Sequence, residues 1–110
     1  MHGFQTVCKV HDVSDGEGKI VPLGRKVVAV FRANGGYYAI DDVCPHMGAS
    51  LGSGYVEGDT VTCPWHGWRF RLSDGAWADY PKGKVKIGCY AVRVEGDNVQ
   101  IEVPPVENTP

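Results

Sequence analysis

The chain has no run of the roughly 18–20 apolar residues that a membrane-spanning helix requires, so no such helix is expected. It also has no basic block. Eleven Lys and Arg stand against 13 Asp and Glu, for a net charge of −2. Nucleic-acid binding needs Lys and Arg to displace phosphate counterions, so that class of partner is not expected. The start, Met1-His2-Gly3-Phe4-Gln5-Thr6, carries neither the charged region nor the apolar stretch of a secretory signal, and the expected location is the cytoplasm. No segment sustains a 3.6-residue period over about ten residues, and no internal repeat is present.

The 110 residues suggest one domain, spanning 1–110. A chain of that size buries a workable core without extra staples. Fifteen glycines are spread along it, which suggests many turns and short strands. Val27-Val28-Ala29-Val30-Phe31-Arg32-Ala33 is rich in β-branched residues and reads as a buried strand. Asn34-Gly35-Gly36 suits a tight hairpin, and Tyr37-Tyr38-Ala39-Ile40-Asp41 reads as the returning strand. Near the end, Tyr90–Val94 and Val99–Val103 alternate apolar and polar around Glu95-Gly96-Asp97-Asn98 and read as a second hairpin with one solvated face. The acidic stretch Asp12-Val13-Ser14-Asp15-Gly16-Glu17 reads as a solvated loop. The last residues, 104–110, hold three prolines and are expected to lie loosely on the surface.

Between the hairpins, about 43–81, the composition changes to Gly, Pro, Cys, His and Trp. Thr60-Val61-Thr62 and Trp68-Arg69-Phe70-Arg71-Leu72 are its strand-like pieces. The expected organisation is an all-β base formed by both ends of the chain, carrying an inserted loop-rich subdomain.

The insert contains Cys44-Pro45-His46 and Cys63-Pro64-Trp65-His66-Gly67, two mixed arms separated by 16 residues. Each arm offers a thiolate and an imidazole, a donor set for a borderline-soft metal. A proline after each cysteine fixes φ and removes a backbone donor, stiffening the loop where it presents ligands. Gly48 and Gly67 give backbone freedom near the imidazoles. Two metal readings fit these residues. A structural zinc site uses the same ligand types. A diiron cluster uses them if each iron takes like ligands, one from each arm. Two disulfides among the four cysteines are a third, blander reading.

C-P-H-M-G-A and C-P-W-H-G-W-R-F resemble the two cluster-binding boxes of the Rieske family. The resemblance covers the insert most strongly, and the flanking hairpins are similar to the family's base. It implies a Rieske-type antiparallel β-sandwich base with an inserted cluster-binding subdomain. It also implies one 2Fe–2S cluster, with Cys44 and Cys63 on the inner iron and His46 and His66 on the outer one. Respiratory members have a second cysteine in each box, forming a disulfide; here those positions are Ala49 and Trp65. Respiratory members also place a Ser and a Tyr where Trp68 and Phe70 stand. Without those hydroxyls the reduced, more negative cluster loses hydrogen bonds. The expected potential therefore falls toward the lower end of the Rieske range of about −150 to +300 mV.

What the resemblance implies for function is a soluble carrier of single electrons, without catalytic residues, nucleic-acid or membrane partners or a small-molecule substrate of its own. Its expected partners are a flavin reductase as donor and, as acceptor, an oxygenase or the large subunit of a reductase. Two settings fit: the ferredoxin component of a ring-hydroxylating oxygenase system, and the small subunit of an assimilatory NAD(P)H nitrite reductase. A self-contained oxygenase would need a further iron held by two His and a carboxylate, for which only His2 and His11 remain. Met47, Trp65 and Pro81 are candidates for the surface that meets a partner, with Pro81 in a third loop over the cluster. Cys8 and Cys89 lie outside the boxes and read as small buried hydrophobes.

Overall fold

A computed structural model describes residues 3–23, 26–33, 35–43, 49–64, 67–78 and 87–103. The strands run in the order β1 (Gly3–Lys9), β2 (Gly18–Leu23), β3 (Lys26–Ala33), β4 (Gly36–Asp41), β5 (Tyr55–Glu57), β6 (Thr60–Thr62), β7 (Arg69–Arg71), β8 (Cys89–Tyr90), β9 (Val92–Glu95) and β10 (Asn98–Val103). They form three antiparallel sheets, ordered β1-β10-β9, β2-β3-β4-β8 and β5-β6-β7. Short 3-10 turns at Val10–Asp12 and Leu51–Ser53 complete the regular structure among the described residues.

Strand β3 explains how the sheets stack. Side chains of a strand alternate between faces. Val28 and Val30 enter one core, with Cys8, Val13, Val21, Ala39, Val99 and Ile101. Ala29, Phe31 and Ala33 enter another, with Ile40, Leu51, Val61, Phe70 and Leu72. The sheet β2-β3-β4-β8 is therefore the middle layer. The sheet β1-β10-β9 covers one face, and the insert covers the other. A strand buried on both faces reads as a continuous apolar run rather than an alternating one, which is why Val27–Ala33 is so uniformly hydrophobic. Each fully buried Val or Phe contributes about 1.5–3 kcal/mol relative to an exposed one, so β3 anchors both halves of the molecule.

The all-β base built from both chain ends agrees with the expectation, since β1 pairs with β10 from Gly3↔Val103 to Lys9↔Asn98. The expected hairpin over 27–41 is present, with Phe31↔Tyr38 and Ala33↔Gly36 in register. Gly35 takes φ +77° in its turn. One expected strand is two. Residues 90–94 do not form a single strand: Tyr90 ends β8, which pairs with β4, and β9 pairs with β10 in the other sheet. The chain changes layers at Ala91, whose carbonyl accepts the Glu102 N–H at 2.9 Å. The β9–β10 hairpin keeps Val99 and Ile101 inside, but Val94 is 46% exposed, because β9 lies at a sheet edge.

Strands β2 and β5 have no counterpart among the strands expected from the sequence. Pro22 sits in β2, which is an edge strand, the place where a sheet tolerates the missing donor. The acidic segment 12–17 is less free than expected. Val13 is buried, Asp15 bridges to Arg32, and the Gly16 N–H donates to the Arg32 carbonyl at 2.6 Å. The proline-bearing tail, 104–110, lies outside the described residues.

Candidate functional site

Of the four candidate ligands, Cys63 is described. Cys44, His46 and His66 lie outside the described residues, as do Met47, Gly48, Trp65 and Pro81. The structure does describe the frame from which their loops spring.

The first loop leaves β4 at Asp41-Asp42 and returns at Ala49-Ser50, closed by an antiparallel bridge between Val43 and Ser50. Asp42 is 5% exposed. A buried carboxylate is tolerated when its oxygens are hydrogen-bonded, and Asp42 Oδ1 accepts from Ser50 Oγ at 2.8 Å and from the Gly52 N–H at 2.7 Å. The Asp42 backbone is also held. Its N–H donates to the Val27 carbonyl at 2.9 Å, and its carbonyl accepts from the Leu51 N–H at 2.7 Å.

The second loop begins where β6 ends. Cys63 is 1% exposed; its N–H donates to the Trp68 carbonyl at 2.7 Å and its carbonyl accepts from the Gly67 N–H at 3.1 Å. Gly67 has φ +76°, a left-handed conformation that favours glycine. Cys63 is thus tied by its backbone to Gly67 and Trp68, with its side chain buried.

Beyond β7 the chain makes a tight turn at Leu72–Gly75. The Arg71 guanidinium pairs with the Asp74 carboxylate, and Asp74 Oδ1 also accepts the Ala76 N–H at 3.0 Å. Gly75 has φ +76°, and a Cβ there would meet the Ile87 carbonyl oxygen at 2.2 Å. That approach brings the chain at 87 back against the turn, with the Ile87 N–H donating to the Gly75 carbonyl at 3.0 Å. Residues 79–86, including Pro81, fall between these two points.

The ends of all three loops meet in one core. Ala49 closes the first loop, Cys63 opens the second and Ile87 follows the third; all three are buried together with Leu51 and Phe70. Leu51 is fully buried. A single centre held between loops that converge on one dry floor suits a thiolate ligand from inside. The residues present therefore fit a buried cluster.

Trp68 and Phe70 stand where a Ser and a Tyr were named as the respiratory pattern. Phe70 is fully buried. Trp68 stacks on Trp77 with centroids 4.2 Å apart and planes 16° apart. Neither supplies a hydroxyl. An antiparallel bridge joins Trp77 to Phe70.

Two further cysteines lie away from this floor. Cys8 is buried in the base, as expected. Cys89 is not: it is exposed on β8, with its thiol 3.3 Å from the Ser73 carbonyl. Strand β8 is an edge strand with one face toward solvent, so an apolar neighbourhood in sequence did not bring burial. Sequence reasoning also passed over Asp41, Asp42 and Ser50. The signal available was the acidic pair directly before the first box, Asp41-Asp42-Val43-Cys44.

Residues 3–99 match the family described as the Rieske 2Fe-2S domain. The chain is 38% identical over 96 residues to apoptosis-inducing factor 3 of Mus musculus, covering 87% of this chain but only 16% of that protein's length. It is 38% identical over 101 residues to the 3-phenylpropionate/cinnamic acid dioxygenase ferredoxin subunit of Escherichia coli strain K12, covering 91% of this chain and 93% of that one. Among solved structures, the Sphingomonas yanoikuyae B1 ferredoxin superposes with a TM-score of 0.82 at 32% identity, covering 93% of this chain and all of that one. A protein assigned as an NADH-dependent nitrite reductase small subunit from Mycobacterium tuberculosis superposes with a TM-score of 0.85 at 28% identity, covering 96% and 99%.

Proposed function

Because the chain belongs to the Rieske 2Fe–2S family and carries one Rieske-type 2Fe–2S cluster, we propose that Cys44, His46, Cys63 and His66 hold that cluster. The whole chain, 1–110, acts on this reading as one Rieske domain and as the ferredoxin component of an oxygenase system in the cytoplasm. It passes single electrons from a flavin reductase to a terminal oxygenase. The observation that carries the reading is the shared floor under the three loops, where Ala49, Cys63 and Ile87 are buried together. The near-complete coverage of a dioxygenase ferredoxin subunit supports the oxygenase setting.

The cluster supplies a one-electron couple. The chain's own residues do the rest. Cys63 would offer its thiolate from the buried side, where Phe70 and Leu51 exclude water, and His46 and His66 would supply the imidazoles through which partners exchange electrons. Trp68 and Phe70, which offer no hydroxyl to sulfur, favour a potential low in the Rieske range. Contact with partners through Met47, Trp65 and Pro81 would be small and transient, as suits electron transfer.

The test is a reconstitution. Dithionite-reduced protein should give the rhombic resonance of a Rieske cluster in electron paramagnetic resonance. With a flavin reductase and a matching terminal oxygenase, product should form only when this protein is added. A protein with one zinc and no resonance overturns the ligand assignment. The fit to the M. tuberculosis protein favours a second setting, the small subunit of a nitrite reductase. Co-purification with a sirohaem-bearing large subunit would select it.

A further inference from the structure

Asp41 ends β4 and Asp42 follows it, and their carboxylates bond in two directions. Asp42 Oδ1 takes both the Ser50 hydroxyl at 2.8 Å and the Gly52 N–H at 2.7 Å, across the mouth of the first loop. Asp41 reaches the other way. Its Oδ2 accepts the Gly88 N–H at 2.8 Å and its Oδ1 accepts the Tyr90 hydroxyl at 2.5 Å. The Asp41 N–H in turn donates to the Gly88 carbonyl at 2.9 Å. Gly88 is the second described residue after the third loop.

The packing around these bonds leaves little slack. A Cβ on Gly52 would come within 2.9 Å of Asp42 Oδ1 and 2.6 Å of Ile20 Cγ1. One on Gly88 would meet Asp41 Oδ2 at 2.7 Å. Two glycines thus let backbone donors close on two carboxylates. The pair itself is rooted in the middle sheet, through Val28↔Asp41 and the Asp42 N–H on the Val27 carbonyl.

We propose that Asp41 and Asp42 are positioning residues that lock the first and third cluster loops to the base sheet as one unit. Their effect is on where the first loop presents Cys44 and His46 and on how firmly the third loop is seated. The proposal rests on the ligand assignment made above. Hydrogen-bonded groups behind metal ligands typically change metal retention by about 10–100-fold when removed.

The experiment follows Asp42→Ala, Asp42→Asn, Ser50→Ala and Tyr90→Phe in the full chain. The readouts are the g-values of the reduced protein, its reduction potential and the rate of cluster release to a ferrous chelator. Asp42→Ala should shift the g-values and the potential and release the cluster about tenfold faster. Asp42→Asn, which keeps an acceptor oxygen, should stay close to wild type. Ser50→Ala and Tyr90→Phe should each give a smaller change in release rate, and together a change that is not the product of the two. Ile101→Val, in the base core, should lower thermal stability and leave all three cluster readouts alone. Should Asp42→Ala fail to fold, Ser50→Ala and Tyr90→Phe decide alone. Wild-type values in both, or an Asp42→Asn protein as impaired as Asp42→Ala, overturn the proposal. A wild-type protein without the Rieske resonance overturns the ligand assignment instead.

Discussion

The two cores of the molecule are built by different means. The base core is aliphatic, with Val13, Val21, Val28, Val30, Val99 and Ile101 packed between two sheets. Its backbone is satisfied by long ladders such as β2–β3 and β1–β10. The insert has strands of three residues, and its loops are tied down by carboxylates: Asp42 on Ser50 and Gly52, Asp74 on Ala76 and Arg71. Short strands cannot stabilise themselves, so the insert needs the floor supplied by β3 and β4. The lesson is a division of labour. Packing fixes the platform, and side-chain to backbone bonds fix where loops emerge from it.

The sharpest way to break this division is to remove the metal from one half and see whether the other half follows. On the proposed ligation, Cys63→Ser abolishes the cluster absorbance entirely. The base should remain folded, with slow amide exchange at Val30 and Ile101. Loss of protection throughout β3 and β10 would make the two cores one cooperative unit. Next in size is Phe70→Ala. Truncating a fully buried Phe costs about 3–5 kcal/mol, and here it opens the floor beside Cys63, so cluster release should accelerate along with unfolding. Ile101→Ala costs a comparable amount, about 2–5 kcal/mol, but in the other core. Below its melting temperature it should keep the wild-type visible spectrum. Urea melts read beside absorbance decays test the contrast.

A smaller effect is expected at the turn behind β7. Asp74→Ala leaves the Ala76 N–H without its acceptor, a cost of about 1 kcal/mol. The Arg71 pair adds little because both partners are well exposed. This turn leads into the third loop. The mutation should therefore raise proteolytic cleavage within residues 79–86 more than it lowers the melting temperature.

The base and the insert also differed in how well the sequence announced them. The run Val27–Ala33 was legible because burial on both faces leaves no polar position. The double Cys-His box pointed to the Rieske family that residues 3–99 match, because few sites other than a metal centre need those residues at that spacing. Legibility failed where a residue's environment is set by distant chain. Tyr90–Val94 alternates like one strand, yet its halves pair with β4 and β10, about 50 and 10 residues away, a choice that no local pattern encodes. Cys89 sits beside apolar residues and is still exposed, since β8 is an edge. Asp42 looks like a solvated loop residue next to a motif. Its burial follows from Ser50 and Gly52 folding back over it.

Cysteine gives the finest version of the comparison, because each core holds one that is nearly inaccessible: Cys63 at 1% and Cys8 at 7% exposure. Cys63 is buried with Ala49, Leu51 and Ile87, whereas Cys8 pairs with Val99 across the β1–β10 ladder. Burial holds the Cys8 thiol above its ordinary value of 9.0; the Asp12 carboxylate adds to the rise, and Lys19 partly opposes it. The unfolded chain therefore gives up this proton first as the pH rises. Between the unfolded and folded values the native state binds more protons, so stability falls with increasing pH. The contribution is complete below pH 9.0 and is lost as the pH passes through the raised folded value. The slope is at most about 1.4 kcal/mol per pH unit. Cys8→Ala removes the titrating group while keeping a small apolar side chain, so its urea midpoint should fall less steeply than wild type on the alkaline side. Equal slopes for the two proteins would mean that Cys8 ionises alike in both states, and that its burial in the base core has no electrostatic consequence.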